Sequence, residues 1–197
     1  MDHFHNILNK LEAFSRKYYT QLFIKGSLLF LALGAIFTLC LVSLEYFLWL
    51  DKTGRLILLI LGSLVLLYLF IWQVGRPLVY LFRLKKGITH KEASRIIGRH
   101  FPNVGDKLFN LFDLQESKEK TELLKASIAQ RSALLAPIPF KKAVDLREGL
   151  KYVKYLSVPS LLFLLIWLTG NFADFMGSYK RVVNYDVAYE PPAPFSF

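Results

Sequence analysis

The chain has 197 residues, of which 54% are hydrophobic, and it carries a net charge of +10 at neutral pH. Its apolar residues are concentrated in three blocks, at residues 26–44, 56–75 and 155–173. Each block approaches the roughly 20 apolar residues that a helix needs to cross a bilayer, which excludes an ordinary soluble domain. We therefore predict an all-α membrane protein, with three transmembrane helices and a small helical module between the second and the third.

Residues 1–22 predict an amphipathic helix that is cytoplasmic or lies at the membrane interface. Its apolar residues recur at steps of three and four and therefore share one face. Such a face can lie among lipid headgroups, dock on the spans of a partner, or dock on the middle segment of the same chain, and the sequence leaves all three open. We take Phe4, Leu8 and Leu11 as candidates for contact with a partner or with lipid.

Residues 23–80 predict a transmembrane hairpin with spans at about 26–50 and 56–80. The charged residues 51–55 between them predict a tight turn at the water interface. A cleaved signal peptide is not expected, because the first apolar block is too long and no small-residue cleavage site follows it. Cys40, the single cysteine, lies within the first span, so no internal disulfide is possible.

Glu45 is a carboxylate inside a predicted span, and such a residue raises the hypothesis of a transport or catalytic function. Its place about one turn before the hairpin turn favours a simpler interpretation, in which it reaches lipid headgroups or Arg55. The mid-span polar residues are Ser, Thr and Gly, which are typical of close helix packing. We therefore expect Glu45→Gln to leave folding and assembly intact.

Residues 81–150 predict the cytoplasmic helical module. Residues 89–92 match a Thr-x-x-Glu capping box that begins a helix, and Pro102 ends it. Asn103 or Gly105 is expected to turn the chain into a second helix. The predicted core of the module consists of four apolar residues around this corner, Phe101, Leu108, Leu111 and Phe112.

Two charged residues near the start of the second helix, Asp106 and Lys107, are candidates for partner or lipid contact. Ser117 is expected to cap a third helix that ends at Ala136. An Asp-x-x-Glu capping box at residues 145–148 then begins a helix that continues into the third span.

The third span is predicted at residues 151–176, with a bend at Pro159. Residues 177–197 are expected to lie on the outer side of the membrane and to begin a longer polypeptide. Residues 183–190 alternate apolar and polar side chains, which predicts a short extended or β segment. The following Pro-rich residues 191–194 predict a stiff spacer.

The basic residues are distributed unevenly, and 17 of the 25 lie between residues 76 and 154. Positive residues near span ends mark the cytoplasmic side. We therefore expect the N-terminus and the module to be cytoplasmic and the C-terminus to lie on the opposite side of the membrane. The surplus of positive charge also favours contact with anionic phospholipids, whereas nucleic acid is not expected as a partner.

No catalytic, nucleotide-binding or metal-binding motif is present in the sequence, so we expect neither an enzyme nor a cofactor, a metal site or a small-molecule substrate. His3 and His5 are two residues apart on a helix and face different directions, which makes them a poor pair of metal ligands.

Two motifs resemble a family of large Bacteroidota-type inner-membrane proteins that is catalogued as a domain of unknown function. The first is IIGRHFPNVGDKLFNLFDLQ at residues 96–115, and the second is NYDVAYEPPAPFSF at residues 184–197. The resemblance implies the bacterial inner membrane, with two N-terminal spans, a cytoplasmic helical segment, a third span and a periplasmic C-terminus. It also implies that residues 177–197 are a periplasmic linker and the start of a larger periplasmic region. It carries over no functional residues, but Tyr185 and Tyr189 match its second motif and join the candidates for partner contact.

Two classes of function are left by these observations. The first is a non-catalytic subunit that anchors a periplasmic region and packs with other inner-membrane proteins in an envelope complex, accessory to protein export or secretion. The second is a transporter or membrane enzyme that uses Glu45 or the basic cytoplasmic face. The missing motifs favour the first.

Overall fold

The structure of the chain is a computed structural model that describes residues 2–82, 84, 87–116 and 121–189. The chain divides into two compact units. The first unit consists of Met1–Ile24 and Pro77–Gly149, and the second consists of Lys25–Arg76 and Leu150–Phe197. Nine α-helices are present in the described residues, together with shorter helical turns.

The helices follow in chain order and are named here from α1 to α9. They are α1 (Asp2–Leu48), α2 (Lys52–Phe70), α3 (Arg76–Leu81), α4 (His90–His100), α5 (Pro102–Glu116), α6 (Glu122–Leu135), α7 (Leu146–Leu150), α8 (Ser157–Leu168) and α9 (Phe172–Val183). A π-helical turn (Ile71–Gly75) joins α2 to α3, and 3-10 turns lie at Phe140–Ala143 and Lys151–Leu156.

Within the described residues, three helical stretches are long and apolar enough to cross a bilayer, at His3–Leu48, Lys52–Leu81 and Phe140–Leu168. Their number and order agree with the three predicted spans. The amphipathic N-terminal segment and the first span are one uninterrupted helix, because no Pro or Gly breaks the pattern before Gly26.

The core of the first unit forms between the N-terminal face of α1 and the helices α4, α5 and α6. Leu108 and Leu111 are fully buried and Phe112 nearly so, while Phe101 packs against them partly buried, which confirms the predicted core. Helix α1 supplies three more residues of that cluster, Ile7, Leu11 and Phe14. A module of about 70 residues buries only a modest core alone, and α1 completes it.

Polar side chains on α1 also hold the chain that follows α6 in the first unit. Lys10 Nζ donates to the carbonyl oxygens of Ala136 and Ile138, and Lys17 Nζ donates to that of Lys141 at 2.9 Å. The carbonyls of Ala136 and Ile138 lie between α6 and the 3-10 turn Phe140–Ala143, and Lys141 lies within that turn. The segment after α6 is thereby held against α1.

The corner between α4 and α5 differs from the predicted one. Thr89 and Glu92 form the predicted capping box at the start of α4. Phe101 alone turns the chain, with φ −125° and ψ 82°, because the residue before a proline is held out of the helical region. Pro102 then occupies the first position of α5, where its missing N–H has no cost. Gly105 was expected at the turn and lies inside α5.

Several predicted caps are placed differently by the structure. Ser117 lies outside the described residues, and Thr121 caps α6 through the backbone N–H of Leu124. Asp145 accepts from the N–H of Arg147 at 2.9 Å at the start of α7. The Glu148 carboxylate accepts from Gln21, so it does not complete the expected capping box.

The hairpin turn in the second unit is shorter than predicted. Asp51 is the N-cap of α2 and accepts from the N–H of Gly54 at 2.8 Å, so residues 52–55 are the first turn of a helix. At the other end the helix continues through Pro77 to Leu81. Pro77 has no N–H to donate to the Gln73 carbonyl, and the helix widens to a π-helical turn just before it.

The third apolar stretch enters α8 through the 3-10 turn Lys151–Leu156, and Pro159 lies in the first turn of α8. The predicted span 151–176 is broken at residues 169–171, after which α9 begins. The predicted extended segment at 183–190 is not present in the described part of the chain, since Val183 ends α9 and residues 184–186 form a turn. The Pro-rich residues 191–194 lie outside the described residues.

Candidate functional site

A buried cluster of three charged side chains lies in the second unit, where α1 ends and α2 begins. Glu45 comes from the last turn of α1, Arg55 from the first turn of α2 and Arg181 from the last turn of α9. Glu45 is 0% exposed, Arg55 is 2% exposed and Arg181 is 7% exposed. We call these three residues the ion triad.

The two guanidinium groups share one carboxylate oxygen. Arg55 Nε lies 2.9 Å and Arg181 Nε lies 3.1 Å from Glu45 Oε1. The second oxygen, Oε2, accepts from the backbone N–H of Leu50 at 3.2 Å. Arg181 also donates from Nη2 to Ser178 Oγ at 2.7 Å. Both carboxylate oxygens of Glu45 are therefore engaged within the second unit.

Aromatic rings cover the two guanidinium groups. Arg181 Cζ lies 3.8 Å from the ring centroid of Trp49, and Arg55 Cζ lies 5.2 Å from that of Tyr189. Arg55 Nη1 also approaches the carbonyl oxygen of Val187 at 3.5 Å. The ion triad thus connects the hairpin end both to α9 and to residues 187–189.

Trp49 takes a backbone conformation that is rare for its type. Its φ is +43°, the one positive φ of a non-glycine among the described residues. A position just after a helix C-terminus commonly adopts this left-handed region, but glycine usually fills it. A side chain there costs about 1–2 kcal/mol, which the ring can offset by stacking on Arg181. The strain thus marks a position where the ring is needed.

The ion triad has one positive charge in excess, because two arginines face one carboxylate. A buried ion pair adds little net stability, yet removing one partner leaves an uncompensated buried charge. The aromatic faces and the carbonyl of Val187 help to offset the second cation. The ion triad is therefore a structural ion-pair network that links the end of α1, the start of α2 and the end of α9.

The expectation for Glu45 is corrected by this geometry. The partner Arg55 is confirmed, and the carboxylate is buried and shared with a second arginine, so we now expect Glu45→Gln to destabilise the second unit. Arg181 was not among the residues that the sequence singled out. Its spacing of three and six residues from Ser178 and Phe175 places it on the buried face of α9, and this spacing is the signal that could have identified it.

The other predicted site residues are distributed over both units. Leu11 is buried in the core of the first unit, and Phe4 and Leu8 pack against it. Asp106 and Lys107 are exposed on α5. In the second unit Tyr189 joins the ion triad, while Tyr185 is half-buried in the turn after α9.

No group of three or more His, Cys, Asp or Glu side chains is placed to hold a metal ion in the part of the chain that the structure describes. No protein-family model matches the chain, and neither a curated protein nor a solved structure does. The geometry of the chain itself therefore carries the functional argument.

Proposed function

We propose that the chain is a non-catalytic subunit of a bacterial inner-membrane complex that anchors a periplasmic region and packs with other membrane proteins. In this proposal the N-terminus and residues 81–150 are cytoplasmic, and residues 177–197 are periplasmic. A place accessory to protein export or secretion is an analogy of architecture, because a basic cytoplasmic module and a periplasmic arm would face the two ends of such a route.

The exposure of the three long apolar helices carries this proposal. Only Pro159 is buried among the 12 residues of α8, and only Arg55 and Gly62 are buried in α2. Exposed apolar surface of this extent is suited to lipid or to the helices of other membrane proteins. It supports an anchoring and packing role for the second unit.

Two pairs of a cation and an aromatic ring support a membrane interface near the predicted cytoplasmic ends of the spans. The guanidinium of Arg76 lies 3.7 Å from the ring centroid of Trp72, and Lys25 Nζ lies 4.7 Å from that of Tyr152. Long basic side chains and aromatic rings are the groups that favour headgroup depth. They also support contact with anionic phospholipids.

The ion triad supports a structural role at the other ends of α1 and α2. It holds α9 and residues 187–189 against the hairpin end, so a region that follows would start from a fixed position. A proton carrier must exchange its carboxylate between partners or water, whereas Glu45 is fully buried with both oxygens engaged. This geometry favours anchoring over the transporter or membrane enzyme.

The proposal is tested by producing the full chain in a bacterium and washing the membranes with alkaline carbonate. The chain should stay in the membrane pellet. It should then co-purify in mild detergent with a reproducible set of inner-membrane proteins, identified by mass spectrometry after cross-linking in cells. Release by carbonate would contradict the anchor, and purification as a lone chain would contradict the subunit.

A further inference from the structure

A cleft lies beside the contact between α4 and α5 in the first unit, with a volume of about 510 Å³. Its lining includes Arg95 and Arg99 from α4 and Asp106 and Phe109 from α5. Asp106 was already a candidate contact residue from the sequence, whereas Arg95 and Arg99 were not.

The floor of the cleft is a close approach of two helix backbones. A Cβ on Gly98 would lie 2.9 Å from the Cα of Gly105, and a Cβ on Gly105 would lie 2.7 Å from the Cα of Gly98. Neither backbone atom can move aside as a flexible side chain would, so both positions need glycine. The missing side chains leave the recess between the two helices open.

The two arginines are the cations of the cleft that lack an ion-pair partner. Arg95 and Arg99 are four residues apart, so they share one face of α4, and both are exposed. No described carboxylate forms an ion pair with either. One turn earlier, by contrast, Lys91 lies 2.9 Å from a Glu116 oxygen and 3.2 Å from an Asp113 oxygen. These two carboxylates raise the pKa of Lys91.

Glu92, three residues before Arg95, attracts Arg95 electrostatically, but the two side chains form no ion pair. Glu92 Oε2 accepts from both the backbone N–H and the hydroxyl of Thr89, at 2.8 and 3.0 Å. Asp106 lines the cleft and forms no ion pair with a described residue. The cleft therefore presents two open guanidinium groups, one open carboxylate and the Phe109 ring.

This combination favours a peptide over a lipid surface. A carboxylate on the wall repels phosphate groups, and a recess of this size does not match a flat bilayer. A peptide can supply a carboxylate to Arg95 and Arg99, an N–H donor to Asp106 and an apolar side chain to Phe109. The first unit also carries 17 Lys and Arg against 10 Asp and Glu, which attracts acidic partners.

We propose that the cleft between α4 and α5 docks an acidic, partly apolar segment of a partner protein through Arg95 and Arg99. This inference rests on the proposed role of the chain as a subunit of a complex, and it names the chemistry of one partner. It assigns Asp106 to orientation of the bound backbone.

The test uses the full chain in nanodiscs of zwitterionic phosphatidylcholine and, as the probe, the peptide Glu-Leu-Glu-Leu-Glu-Leu-amide with fluorescein on its N-terminus. Fluorescence anisotropy should show that the peptide binds, whereas the same peptide with Lys in place of Glu should not. The double variant Arg95→Glu, Arg99→Glu should weaken binding on the order of tenfold or more. The pair Arg95→Gln, Arg99→Gln should show a smaller loss.

The matched control is Lys141→Glu, Lys142→Glu, which changes the net charge equally at two exposed positions outside the cleft. It should keep most of the affinity, and all variants should retain the thermal unfolding of the wild type. Equal weakening by both charge reversals, or no binding by the wild type, would overturn the proposal.

Displacement of the peptide by inorganic phosphate or by phosphatidylglycerol in the disc would also overturn the proposal, since a phosphate would then be the ligand. The carbonate wash tests membrane anchoring independently of peptide binding, so failure of the anchoring proposal is distinguished from failure of the docking proposal.

Discussion

Glu45 is the residue on which the order of the second unit depends most directly. It closes the end of α1, accepts from two arginines and one backbone N–H, and is fully buried. A carboxylate in the last turn of a helix is disfavoured by the helix dipole, and the two guanidinium groups reverse that preference. Its stability effect therefore comes from its partners.

We expect Glu45→Gln to destabilise the second unit by about 3–5 kcal/mol, because it leaves two buried guanidinium groups without a counter-charge. The measurement is thermal unfolding of the purified chain in mild detergent. Asp186→Asn removes an exposed carboxylate from the same unit and is the control, with an expected change within about 0.5 kcal/mol. Equal unfolding midpoints for the two variants would show that the ion triad does not stabilise the second unit.

Gly26 is a second residue whose identity is set by its surroundings. A Cβ there would lie 1.8 Å from the backbone oxygen of Gln73. Pro77 cannot donate to that carbonyl, so the hydrogen that Gly26 carries in place of a side chain faces an oxygen that lacks its usual helical partner. Pro77, in the helix of the second span, thus leaves the Gln73 carbonyl without its usual partner, and Gly26, in the first span, allows the two helices to approach at that carbonyl.

Substitution of Gly26 by Ala should therefore separate α1 from the π-helical turn. We expect a loss of at least about 1–3 kcal/mol, the usual cost of overpacking. Gly34→Ala is the matched control on the same helix, since its Cβ would meet Leu66 at 3.5 Å, an ordinary contact. The concentration of sodium dodecyl sulfate at which each variant loses helicity measures the difference. A smaller effect for Gly26→Ala than for Gly34→Ala would contradict the observed crossing.

At the level of elements, α5 supplies four of the twelve described buried residues in the first unit's core cluster, more than any other helix. Leu108, Leu111 and Phe112 point into the cluster that also contains Ile7 and Phe14 of α1. The helical spacing of these residues was enough to predict the core. The contribution of α1 could not be predicted, because its apolar face suits a membrane surface, a partner or its own module equally well.

Leu108→Ala should loosen the whole first unit, because truncating a fully buried Leu costs about 2–5 kcal/mol. Asp106→Ala changes an exposed residue two positions earlier and should cost far less. Limited proteolysis in detergent, scored for cleavage between residues 87 and 150, compares the two. If Leu108→Ala stays as protected as the wild type, α5 does not carry the core.

The capping box of α4 should make stability depend on pH. The backbone N–H and the hydroxyl of Thr89 donate to the Glu92 carboxylate and lower its pKa. A lowered folded-state pKa gives stability that is fully present above the unfolded value, near ~4.3, and is lost as the pH falls through the folded value. The wild type should therefore lose stability relative to Glu92→Gln as the pH falls below about 4.3.

Thermal unfolding of the two proteins between pH 7 and pH 3 measures this dependence. The wild type should have the higher midpoint at neutral pH, and the gap should narrow in acid. A gap that stays constant over the range would show that the carboxylate charge does not contribute to the cap.

At the scale of the whole molecule, the number and order of the apolar helices followed from sequence, since composition alone decides them. The ion triad could be predicted only in part. Arg55 is ten residues from Glu45 across a turn, whereas Arg181 is 136 residues away and is brought in by α9. The break at residues 169–171 that creates α9 has a sequence signal in Gly170, which takes a positive φ of 77° just after α8, but the predicted span continued across it. The pairing of Arg181 with Glu45 depended on the three-dimensional arrangement.

The sides of the membrane on which the two ends of the chain lie decide whether the anchoring proposal holds. Its central claim is that three crossings leave residues 81–150 cytoplasmic and the end of α9 periplasmic. The most direct measurement fuses a reporter enzyme that is active only in the periplasm after Gln115 and, separately, after Tyr189. We expect an inactive fusion at Gln115 and an active fusion at Tyr189, at equal expression. Activity at Gln115 would contradict the proposed orientation, and equal activity at both positions would contradict the third crossing.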